Sequence, residues 1–110
     1  MTQHKEDEAI WPAPTKQDLD RIVATSDPLS LAIEFAPAGG FDWPAWQGEA
    51  IRLFNDRDAL AKADLVTIQK LMFLHWRKER FCEGHLEAAR SCGHLAAVAR
   101  RLAELAEEME

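Results

Sequence analysis

Apolar residues return at three- and four-residue steps through the second half of the chain, and this periodicity predicts a helical protein. Leu65, Ile68, Leu71, Met72, His75 and Trp76 share one face of a helix over 65–79, opened by Asp64 as its cap. Phe73 and Leu74 widen that face so far round the helix that it belongs at the centre of a fold. Glu83 to Ser91 reads as a short helix closed by Gly93. A last helix runs from His94 or Leu95 to about Glu107, with the stripe Leu95, Val98, Leu102, Leu105 and Met109. Such a stripe packs on its own chain or pairs across a homodimer.

The first half is more broken. Residues 1–14 are polar and end in IWPAP, whose two prolines oppose regular structure, so they read as a flexible extension whose Trp11 docks on the body. Thr15 caps a helix to Ser26 with Leu19, Ile22 and Val23 on one face. In LSLAIEFA (29–36) the alternation of Leu29, Leu31, Ile33 and Phe35 favours a strand. A lone strand lacks a partner, however, so a short helix is the better reading. After Pro37 to Gly40, Asp42 opens a helix whose stripe is Trp43, Trp46, Ala50, Ile51 and Phe54. Residues 55–63 form a short helical turn or a connection.

Together these elements predict an all-α domain over 15–110: a compact bundle of four to five helices around the central helix 65–79. Trp43, Trp46, Trp76, Phe54 and Phe81 are its expected core aromatics. At 110 residues the chain can bury one core, and 47% hydrophobic residues are too many for a disordered chain. No apolar run reaches membrane-spanning length, and the acidic start does not resemble a secretory signal, which points to a cytoplasmic protein. Net charge is −6, which disfavours a general nucleic-acid binder. Residues 65–101 carry seven Lys/Arg against three Glu, leaving six basic and sixteen acidic residues elsewhere. A basic segment therefore sits in an acidic envelope.

The phrases FDW-x2-W (41–46), R-x2-RF-x-EG-x-L (77–86) and S-x-G-x-L (91–95) resemble a bacterial domain of unknown function, family 6508, over residues 41–105. RFCEGHL is the most specific piece. The resemblance implies a small, mostly helical domain of bacteria and their mobile elements, and implies no activity, substrate or cofactor.

Candidate chemistry is sparse. Cys82, His85, Cys92 and His94 could supply four zinc ligands, but the two pairs must turn back across a corner to meet, so packing residues are the default reading. Residues 87–105 have helix-turn-helix spacing, with Ala89 before Gly93, yet the second helix opens with Leu-Ala-Ala-Val-Ala, where a reading helix presents polar side chains. The cations Arg77, Arg80, Arg100 and Arg101 are the candidates for holding a partner. Lys78 and Arg80 also suit the end of the 65–79 helix, where Arg80 can pair with Glu83 and Phe81 can plug the corner. His75, Glu79 and Glu83 align only on an unbroken helix, and no phosphate loop, nucleophile elbow or H-E-x-x-H motif is present. The expectation is a non-catalytic protein-binding module, regulatory or inhibitory, with no cofactor. It would act through its acidic outer helices or by pairing through the last one. The alternatives are a dimeric DNA-binding regulator and a zinc-stabilised module.

Overall fold

The computed structural model describes residues 10–25 and 27–109. Among them are seven α-helices and no strand: α1 (Lys16–Thr25), α2 (Ser30–Glu34), α3 (Gln47–Asn55), α4 (Arg57–Ala61), α5 (Leu65–Lys78), α6 (His85–Ser91) and α7 (His94–Glu108). A single 3-10 turn, Pro44–Trp46, leads into α3. The all-α expectation holds. The count exceeds four to five because two five-residue pieces, α2 and α4, are helical. The run 29–36 is therefore helix: its backbone bonds close locally, Phe35 N–H donating to Leu31 C=O at 3.0 Å.

Helix starts follow local chemistry. Thr15 Oγ1 accepts from the Asp18 N–H and Asp18 accepts from the Thr15 N–H, a reciprocal cap at the head of α1. Asp56 accepts from the N–H groups of Asp58 and Ala59, which turns the polar connection into α4. Asp64 accepts from the Thr67 N–H at 2.9 Å and starts α5 as expected. Glycine decides the corner between α6 and α7. Gly93 has φ +87°, a left-handed conformation that a side chain disfavours, and it lets α7 start with only two residues between it and α6.

α5 is central, with Ile68, Leu71, Met72, Leu74 and His75 all buried. α2 packs on α5, while α1 and α4 pack on α7. The stripe of α7 is thereby covered by its own chain, Leu95, Val98 and Leu102 being buried and Leu105 and Met109 partly buried against the core. The side chain of Gln69, buried on α5, donates to the carbonyls of Pro12 (2.8 Å) and Phe35 (3.4 Å). That bond ties the N-terminal segment to the core, and Trp11 packs edge-on against Phe41 and Phe73. The expected docking of Trp11 is seen; residues 1–9 of the extension lie outside the described residues.

The aromatic core expectation needs correction. Aliphatic residues fill the centre, and Trp43, Trp46, Phe54 and Trp76 are partly buried residues packed around it. Phe81 is 70% exposed, its ring tilted against Trp43 at 5.9 Å, so it plugs nothing. The helix ends at Lys78, and Phe81 follows in a turn that carries it off the buried face.

Candidate functional site: a histidine chain behind an apolar cleft

Three of the helices meet at three imidazoles. His75 Nδ1 lies 2.8 Å from His85 Nε2, and His75 Nε2 lies 3.0 Å from His94 Nε2. His75 is 2% and His94 1% exposed; His85 is half-buried at the outer end. Phe54 closes the inner end, its ring 4.4 Å from that of His94.

A neutral imidazole has one donor and one acceptor, so the chain must run in one direction. His94 Nδ1 is buried without a partner among the described residues. If the bonds run from His94 through His75 to His85, that nitrogen is a bare acceptor. In the reverse direction it is an N–H with no acceptor, the costlier fault, so the first direction is favoured. All three rings are held neutral. Burial, and then the neighbouring His94, His85 and Lys78, push His75 down to about 3. Burial, followed by Arg57 and His85, pushes His94 down to about 4. Burial and Lys78 lower His85, opposed by Glu79.

In front of the chain is a cleft of about 200 Å³ between α3 and α5. Ala50, Ile51, Phe54 and Leu74 form its apolar walls. His75 and His85 line it too, with Gln47, Asn55 and Lys78 as its remaining polar groups. Lys78 Nζ donates to Gln47 Oε1 at 3.1 Å and so bridges the two helices. Ile51 is 55% exposed.

The sequence candidates are dispersed around this site. His85 and His94 meet only through His75, while Cys82 and Cys92 are both exposed, the latter donating weakly to the Ala89 carbonyl. The three rings stand in series, so their nitrogens do not converge on one point. Among the described residues no three His, Cys, Asp or Glu side chains are arranged to hold a metal ion. Glu79 does not align with His75 and Glu83: it turns forward and accepts from the N–H groups of Leu86 (2.9 Å) and Gly84 (3.3 Å) at the head of α6. Those bonds hold its carboxyl below the usual range, the Leu86 bond most. Arg80 and Glu83 are exposed, and no ion pair between them is seen among the described residues. Arg77 lies 5.9 Å from the Trp76 ring.

The helix-turn-helix candidates fare unequally. Ala89 is buried at the corner and Gly93 is left-handed, as that spacing requires. Arg100 is exposed beside Arg57, Asp58 and Glu104. Arg101 is engaged, its Nε donating to the Ala63 carbonyl at 2.8 Å and its Nη1 facing Glu104 at 3.2 Å. The first turns of α7 offer Ala96, Ala97 and Ala99 where a reading helix needs side-chain donors.

Sequence reading missed His75 as the hub and missed the cleft altogether. The one available signal was a histidine at an inward position of the most apolar helix.

The fold defines a small all-α domain with its titratable cluster turned inward. The chain belongs to a family of unknown function, DUF6508, whose profile matches residues 31–108, a wider span than the motifs alone carry. Neither curated proteins nor solved structures gave a match to the chain. No helix among the described residues is long and apolar enough to cross a membrane.

Proposed function

We propose that the domain is a non-catalytic protein-binding module, regulatory or inhibitory, whose partner inserts an apolar side chain into the cleft between α3 and α5. The observation that carries this reading is the cleft itself: apolar walls, an exposed Ile51 on its lip, and a volume of about 200 Å³. Small-molecule sites typically occupy about 300–1,000 Å³, so this one suits a single side chain better than a cofactor. The stripe of α7 is covered within the chain, which turns attention from the last helix to this face. A non-catalytic role fits the histidines, because they bond to one another and, among the described residues, to no hydroxyl, thiol or carboxylate. Two exposed thiols suit a reducing, cytoplasmic setting. The DNA-regulator reading draws support from the Gly93 corner but little from the exposed face of α7.

The test compares two exposed isoleucines in affinity capture from cells, Ile51 in the cleft and Ile33, 61% exposed, on α2. A protein retained by the wild type and by Ile33→Glu but lost with Ile51→Glu supports the reading. Identical capture by all three counts against it.

A further inference from the structure

The chemistry around the cleft also selects among protein partners. Lys78 lines it, and Arg77 and Arg80 flank Lys78 in the chain. Seven ion pairs join described residues, and none includes Arg77, Lys78 or Arg80. Two carboxylates share that stretch of chain, Glu79 and Glu83, and neither enters one of those ion pairs. Glu49 pairs with Arg52, Asp42 accepts from the Ala45 N–H, and Glu79 accepts from the head of α6. Among the described residues Lys78 has the neutral Gln47 amide as its hydrogen-bond partner. In a chain of net charge −6, the stretch 77–83 carries three cations against two carboxylates, one of which, Glu79, is turned to the backbone N–H groups of α6. The negative end of the α5 dipole favours such cations but balances only about half a charge. Beyond Lys78, the exposed Phe81 against Trp43 adds apolar surface.

Resting on the protein-binding reading, we infer that the cleft takes an acidic, apolar segment of a partner protein. One large aliphatic or aromatic side chain fills the space between Ile51, Phe54 and Leu74, and an Asp or Glu beside it in the partner meets Lys78 and Arg80. Charge of this kind sets partner choice and association rate more than bulk affinity. Within the segment, the apolar side chain supplies the anchoring area.

The experiment is a selection of displayed random twelve-residue peptides on the folded full chain. Enriched peptides are then synthesised and titrated against the wild type and against Ile51→Glu, Lys78→Glu and Arg80→Glu. All three positions are surface or cleft-lining, and circular dichroism checks that each variant folds. The expected result is enrichment of an apolar residue with neighbouring Asp or Glu, and at least tenfold weaker binding with Ile51→Glu and with Lys78→Glu. Peptides that are lost with Ile51→Glu but are basic or neutral, and indifferent to Lys78→Glu, would overturn this inference while leaving the protein-binding reading intact. Failure to enrich any peptide sensitive to Ile51→Glu would overturn both. A fifteen-nucleotide oligothymidine bound through Lys78 and Arg80 would overturn the inference in favour of a stacking surface built on Phe81 and Trp43.

Discussion

His75 Nε2 faces His94 Nε2 at 3.0 Å in the interior, two imidazoles from α5 and α7 that share one proton between them. This contact is a hydrogen bond only while one of the two facing nitrogens stays unprotonated, so both rings cannot be charged at once without losing it. Its consequence is a pH dependence of folding that the net charge alone would not give.

Unfolded, both rings take up protons near 6.5; folded, they do so only near 3 and near 4. The unfolded chain therefore binds more protons throughout that interval. Their contribution to stability is complete above pH 6.5 and is lost progressively as pH falls, to about 4 for His94 and about 3 for His75. Each excluded proton contributes about 1.4 kcal/mol per pH unit. Urea unfolding should show its midpoint dropping between pH 7 and pH 5, with His75→Gln flattening that slope. A midpoint equal at both values would mean the rings are not neutral and buried as described.

Two glycine replacements should have opposite signs. Gly93→Ala puts a side chain at φ +87°, with its Cβ 3.4 Å from the Arg57 guanidinium that donates to the Cys92 carbonyl. The expected loss is about 1–2 kcal/mol. Gly48→Ala lies in α3 with open space around the new Cβ, and should gain about 0.5 kcal/mol. Denaturant midpoints decide both, and a neutral Gly93→Ala would dismiss the left-handed corner.

The exposed positions of Cys82 and Cys92 make a separate prediction. Both thiols should alkylate at similar rates in the native protein, and a strong chelator should change neither those rates nor the melting temperature. Thiols that become reactive only after chelation would instead establish a zinc held by Cys82, His85, Cys92 and His94.

The sequence made some of this architecture legible and hid the rest for physical reasons. The α5 start at Asp64, the α7 stripe and the Gly93 corner are local effects of capping, periodicity and backbone freedom, so they could be read directly. Trp43, Trp46 and Phe81 misled because area and hydrophobicity suggest burial, whereas burial is decided by where a turn points the ring. Phe81 follows the end of α5 and faces water. The histidine chain was hidden because it joins residues ten and nineteen apart through two corners whose geometry no spacing rule specifies. The cleft is a property of the gap between α3 and α5, which the predicted α3 stripe does not specify although its Ala50, Ile51 and Phe54 line it.

The most direct test of the central claim is photocrosslinking in living cells, with a benzophenone amino acid placed at position 51 or at position 33. Both sites are solvent-exposed, but only the first is in the cleft. A discrete protein adduct is expected from position 51 and none from position 33. The same adducts from both positions, or none from position 51, would contradict that claim.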